Sequence, residues 1–308
     1  MLNKPIIVNC PPYNDQSGGT IVLHYLVHRL RKMGVEAYAF PILKPVPKNH
    51  SRLRRYIRKV STIRRFTKGL RQFQTHHALD TPLPSSEAIR KGIAVYPEIV
   101  SGNPLGSANV VRWILYKPRA FGSGEYFIAP NKDEEVFYFQ MPFIADIGWI
   151  PPANHLRLQW LREDIFFDPG AVERTTICKM VRKGNTQASC NTNVPELAIE
   201  LDGKCNEEIA EIFKCSKFFY CYDLYTMYCE YAALCGCVPI VIPQTGISLY
   251  DWRPENDRYG IAYGDSAEQL EWAHQTREEL FNRLHELKSD EDTMLKNFVY
   301  RLSEKFCS

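Results

Sequence analysis

A chain of 308 residues with 45% hydrophobic and 24% charged residues can build two cores of about 150 residues each, which argues against disorder on a large scale. The formal charge is +3 and no stretch approaches the ~18 consecutive apolar residues of a membrane span, so a soluble, cytoplasmic protein is expected. Ten cysteines occur without a C-x-x-C pair, and the opening MLNKPIIVNCPP has an apolar run too short for a secretory leader, so the thiols are expected to be reduced core residues rather than disulfides or zinc ligands.

Ile6 to Cys10 reads as an apolar strand, followed by a loop ending in Gly18-Gly19 and a helix from Thr20 to Lys32 with Ile21, Leu23, Leu26, Val27 and Leu30 apolar. Two glycines at a helix start let a ligand approach the backbone closely. Their spacing is not G-x-G-x-x-G, which counts against a dinucleotide-binding oxidoreductase. His24 and His28 lie one turn apart and, lacking a third ligand, read as ordinary helix residues. Glu36 to Phe40 is the next strand.

Between Glu36 and Asp80 there is no acidic residue, while Lys44, Lys48, Arg52, Arg54, Arg55, Arg58, Lys59, Arg64, Arg65, Lys68 and Arg71 are basic; the rest of the chain carries 27 basic against 35 acidic residues. Leu53, Tyr56, Ile57, Val60, Ile63 and Phe66 recur at three- and four-residue spacing, predicting a basic amphipathic helix. Such a helix can dock on its own domain with a solvated outer face, lie on anionic lipid, or bind a polyanion or nucleic acid.

Ile93 to Val100 predicts a strand ending in Pro97-Glu98, Asn109 to Tyr116 a mixed apolar and basic one, and Val136 to Gln140 an aromatic one. Asp133-Glu-Glu135 and Asp290-Glu-Asp292 read as solvated turns. Pro142 to Glu173 lacks a clear period and contains Pro151-Pro152 and Asp168-Pro-Gly170, which places an inter-domain crossing there. Thr175 to Val181 then reads as a strand leading into Arg182-Lys183-Gly184, and Asn206 to Cys215 as a short helix. Ser266 should cap a helix carrying Leu270, Trp272, Leu280, Leu284 and Leu287, with Glu291 to Phe306 as a last helix.

Lys217 to Pro243, KFFYCYDLYTMYCEYAALCGCVPIVIP, predicts strand, turn, helix, strand, with both strands suited to a buried parallel sheet. Asp223 stands at an N-cap position, Thr226 in the first turn, Glu230 two turns after Asp223 on the same face, and Gly236 past the helix end. Open α/β sheets place their ligands where Tyr222, Asp223 and Thr226 fall, at the carboxyl ends of strands, and a carboxylate at Glu230 can accept both hydroxyls of a ribose. The alternative is that Asp223 and Thr226 are ordinary caps and Glu230 a solvated helix residue.

This segment resembles the donor-binding half of GT-B glycosyltransferases, in which a helix with an acidic residue, small residues and then G-x-x-P-V-V holds a nucleotide sugar. Glu230, Ala232, Ala233 and Gly236-Cys-Val-Pro-Ile-Val241 stand in that order. Tyr96 to Pro118, Ser17-Gly-Gly19 and Tyr259-Gly-Ile-Ala-Tyr-Gly264 extend the resemblance to bacterial lipopolysaccharide- and capsule-type enzymes over most of the chain. The resemblance implies an α/β protein with two Rossmann-like domains facing a cleft: residues 1–165 on the acceptor side, and 166–308 binding the donor, with a C-terminal helix crossing back. It implies a metal-independent transferase with no cofactor, taking a nucleotide-sugar donor and a glycan or lipid-linked acceptor, with peripheral contact at the inner face of the membrane through Lys44 to Arg71. By resemblance, Arg182 and Lys183 neutralise the donor diphosphate, and Gly18, Gly19, Tyr222, Asp223, Thr226 and Glu230 complete the donor contacts. Asp15 and Glu98 are the candidate bases or acceptor-orienting residues. Tyr222 stands where many retaining members carry a second glutamate, so retention or inversion stays open. A non-catalytic GT-B-like protein, or a polyanion or nucleic-acid binder using residues 44–71, is the other reading.

Overall fold

The computed structural model describes residues 2–42, 73–117, 133–145, 147–182 and 194–307. The expected basic helix within 44–71, and Lys183 with Gly184, lie outside the described residues. The chain divides into two compact units, one of residues 1–160 with 290–308 and the other of 161–289.

Among the described residues the first unit holds five strands, β1 (Ile6–Cys10), β2 (Ala37–Pro41), β3 (Ile93–Pro97), β4 (Asn109–Ile114) and β5 (Glu135–Tyr138), paired in parallel in the order β2-β1-β3-β4-β5. Every residue of β1 and β3 is buried, as a sheet covered on both faces requires. Helix α1 (Gly18–Lys32) packs through Val22, Leu23, Leu26 and Leu30 into one core with Trp113, Phe137, Leu295, Phe298 and Leu302. Phe137 and Phe298 meet edge to face with centroids 4.7 Å apart. A short helix, α2 (Ser86–Lys91), is capped by Ser85, which accepts from the Ala88 N–H at 3.1 Å and so satisfies a helix-start donor.

The second unit holds β6 (Thr176–Met180), β7 (Ile199–Glu200), β8 (Ser216–Cys221), β9 (Val238–Val241) and β10 (Ala262–Tyr263), parallel in the order β10-β9-β8-β6-β7. Read from β6, the strands of this unit run second, first, third, fourth, fifth, the order of the first unit repeated. Its helices are α3 (Asn206–Cys215), α4 (Tyr228–Leu234), α5 (Leu249–Trp252) and α6 (Ala267–Gln275). A helix of 30 residues, α7 (Arg277–Phe306), follows, its residues from Asp290 onward belonging to the first unit. Gly236, with φ 85°, ends α4: its N–H donates to the Ala233 carbonyl at 3.1 Å in a left-handed turn that glycine takes without a Cβ penalty. Among the described residues no helix is long and apolar enough to cross a membrane.

Three expectations are corrected. The helix expected from Ser266 through Leu287 is two helices, because the Thr276 hydroxyl donates to the Trp272 carbonyl at 2.7 Å and accepts the Gly260 N–H at 2.9 Å, closing α6. The last helix starts at Arg277 rather than Glu291. The acidic runs are solvated turns only in part: Asp133 is exposed in a turn, but Glu135 is a buried strand residue paired with Arg301 and Lys305 at 3.0 and 3.1 Å, and residues 290–292 are helical, with Glu291 1% exposed, paired with Arg29 and accepting the Gln159 N–H at 2.6 Å. Six of the nine described cysteines are buried, as expected. Burial pushes the Cys235 thiol up to about 12, so it stays protonated and unreactive.

Candidate functional site

In a doubly wound sheet of this order, neighbouring strands whose connections leave in opposite directions open a crevice beyond their carboxyl ends, and ligands bind there. In the first unit that point lies between β1 and β3, and in the second between β6 and β8. The candidate residues of the first unit follow β1 and β3. In the second, Arg182 follows β6, and Tyr222, Asp223 and Thr226 follow β8.

In the first unit, Asp15 is half-buried in the loop after β1 and accepts the Tyr13 hydroxyl at 2.6 Å. Gly18 and Gly19 open α1, whose preceding Ser17 makes no side-chain cap, and a helix start leaves its first N–H groups without intrahelical partners. Among the described residues a Cβ at Gly18 would meet nothing within 4 Å, and at Gly19 only Leu115 at 3.9 Å, which leaves room beside this backbone. Glu98 is buried directly after β3 and accepts the Leu115 N–H at 2.9 Å. The loop beyond it is braced by Arg112, which donates to the carbonyls of Val100 and Gly102 at 2.8 and 2.5 Å and pairs with Glu134 at 3.0 Å. The His24 Nε2–H donates to the Pro11 carbonyl at 3.0 Å, and the His28 Nδ1 accepts the Asp80 N–H at 2.9 Å, so both are structural. Burial lowers both imidazoles below their ordinary range.

In the second unit the segment after β8 departs from expectation. Helix α4 begins at Tyr228, with Met227 as its cap, so Asp223 is not an N-cap and does not share a helix face with Glu230. Residues 223–227 form a turn instead: the Asp223 carboxylate accepts the Tyr225 N–H at 3.1 Å, and Thr226 Oγ1 accepts the Tyr228 N–H at 3.3 Å. Short polar side chains that bond the backbone two residues on favour such turns over helix. Both residues are buried, while Tyr222 is half-buried, its carbonyl accepting Gln244 at 3.5 Å.

Glu230 is not solvated either. It is 5% exposed, and its Oε1 accepts from Arg253, also 5% exposed, at 3.2 Å. Arg253 further donates to the carbonyls of Leu224 and Asp257 at 3.2 and 3.3 Å. The Trp252 indole N–H reaches the Leu224 carbonyl at 2.8 Å, which ties the loop after β9 to the turn after β8. Among the described residues Glu230 Oε2 is buried without a hydrogen-bond partner, an arrangement that costs free energy in a folded protein unless a donor fills it. Arg182, two residues after β6, holds its guanidinium over the Tyr228 ring, 4.4 Å from the centroid.

Sequence reading missed Arg253, Tyr228 and Asp202, which holds the backbone at Arg182. Asp202 carried a turn signal in Asp202-Gly203, and Arg253 carried none beyond a cation in a long loop. A cavity of about 50 Å³ lined by Leu161, Leu234, Phe281 and Leu284 also lies in this unit, room for a water or two rather than a nucleotide. Among the described residues no three His, Cys, Asp or Glu side chains gather as a metal site.

The fold and site define an α/β protein with two Rossmann-like parallel sheets of one strand order and polar residues at both switch points. No protein-family model matches the chain, and no curated protein matches it.

Proposed function

We propose that the protein is a metal-independent glycosyltransferase of GT-B type, moving a sugar from a nucleoside-diphosphate donor to a glycan or lipid-linked glycan. The observation that carries the reading is the buried Glu230 carboxylate beside the second switch point, one oxygen paired with Arg253 and the other without a partner among the described residues. A ribose diol supplies the two O–H donors that such an oxygen lacks. In the GT-B arrangement, which belongs to this proposal, the two switch points face one cleft.

In this reading Arg182 takes the diphosphate, whose negative charge grows as the glycosidic bond to the leaving phosphate breaks; a fixed cation stabilises that charge without reorganising during the reaction. Tyr222, Asp223 and Thr226 line the donor side. Asp15 is the better placed base for the acceptor hydroxyl, because it is half-buried beside the open backbone of Gly18 and Gly19, whereas Glu98 is buried against the Leu115 N–H and orients the loop.

The test is thermal unfolding of the full chain with UDP, GDP, CMP, dTDP and their sugars, with and without EDTA. Stabilisation by one diphosphate family that survives EDTA is expected; a ligand at 100 times its Kd adds about 2.7 kcal/mol. No shift with any of them overturns the reading and turns attention to a binding protein acting through residues 44–71.

A further inference from the structure

Arg182 is the one non-glycine residue with positive φ among the described residues, at 45°. Left-handed backbone is costly for a side chain of this size and persists where its surroundings hold it. The holder is Asp202, whose carboxylate oxygens accept the N–H groups of Val181 and Arg182 at 2.7 and 2.9 Å. From that fixed backbone the guanidinium turns onto Tyr228, stacking over the ring and donating to its oxygen at 3.4 Å. Tyr228 is itself locked: it is 3% exposed, and its hydroxyl donates to Asn206 at 2.7 Å, at the first position of α3. Among the described residues no carboxylate pairs with the Arg182 guanidinium. A half-buried arginine of this kind is a cation held in place and left to find its counter-charge elsewhere.

We propose that Tyr228 is a positioning residue, a platform that fixes the Arg182 guanidinium for a diphosphate, so that anion binding after β6 depends on a tyrosine ring whose effect passes through Arg182. This rests on the donor-site reading above. It separates charge, supplied by Arg182, from aim, supplied by Tyr228 and Asp202.

Titration calorimetry of inorganic pyrophosphate into the full chain tests it, with melting curves to check folding. Arg182→Gln should weaken binding about tenfold or more. Tyr228→Leu should weaken it between about threefold and thirtyfold, the range of a cation–aromatic contact, and Tyr228→Phe, which keeps the ring, by less. The double variant Arg182→Gln, Tyr228→Leu should bind no more weakly than Arg182→Gln alone, a result that a general structural role for Tyr228 would not produce. If Tyr228→Leu does not fold, Arg182→Lys replaces it: lysine keeps the charge but not the planar stack and should bind several-fold more weakly. Independent, additive losses, or a lysine variant equal to wild type, overturn the platform while leaving the anion site standing. A wild-type protein that binds neither pyrophosphate nor any nucleoside diphosphate overturns the donor-site reading and the platform together.

Discussion

In the first unit Asp15 is half-buried in the loop after β1, where it accepts the Tyr13 hydroxyl, whereas in the second Glu230 is buried in a lattice with Arg253, Leu224 and Trp252. One strand order thus supports two kinds of site. A buried ion pair keeps its geometry because leaving either charge unpaired is expensive, while a half-buried carboxylate on an open loop can accommodate ligands of varied shape. In the proposed reaction the rigid half suits a constant nucleotide and the open half a variable acceptor.

That contrast can be broken by mutation. The largest effect is expected from Glu230→Ala, which strands Arg253 in the interior and should cost about 3–5 kcal/mol in urea unfolding. Glu230→Gln keeps the shape and should instead show its loss in nucleoside-diphosphate binding; a glutamine variant that binds normally would reduce Glu230 to a structural role. Next, Asp15→Asn should lower turnover about a hundredfold with little change in melting temperature. Glu98→Gln should lower it less, and the reverse order would make Glu98 the base.

A smaller and subtler contrast lies within the first unit. Burial raises the Glu291 carboxyl above its ordinary range, and the Gln159 N–H and Arg29 do not reverse this. Burial also pushes Glu135 upward, but Asn154, Lys305 and Arg301 outweigh it and hold it below that range. Ionisation of Glu291 therefore removes stability as pH rises from the ordinary carboxylate range through its raised value. Glu135 contributes stability above that range and loses it as pH falls through its lowered value. The cost of Glu135→Gln should be larger at about pH 7 than at about pH 4, and that of Glu291→Gln larger at the lower pH, both read from urea midpoints. Parallel slopes would remove the distinction.

Where strands are apolar and buried on both faces, the sequence was sufficient: β1 and β2 lie within a residue of their expected positions, and β8 and β9 within two residues of the runs Phe218 to Tyr222 and Val238 to Ile242. Helix α3 matches its expected limits. The turn at 223–227 was not legible, because Asp and Thr suit a cap and a side-chain-bonded turn equally well, and only the packing of Trp252 and Arg253 chooses. Glu135 and Glu291 were misread for a related reason. A charge run looks solvated until its cations, more than 130 residues away in sequence for Glu135 and more than 200 for Glu291, are brought beside it. The proposed donor side was marked by Arg182 and Glu230, but their partners Tyr228 and Arg253 became visible only in three dimensions.

The long helix α7 carries a consequence for how the chain is made. Leu295, Phe298 and Leu302 complete the core of the first unit, while the second unit is contiguous from residue 161 to 289. During synthesis the first unit, although it emerges earliest, cannot close its core until Leu302 has left the ribosome, so the later-made unit is free to fold first and the usual amino-to-carboxyl order is inverted.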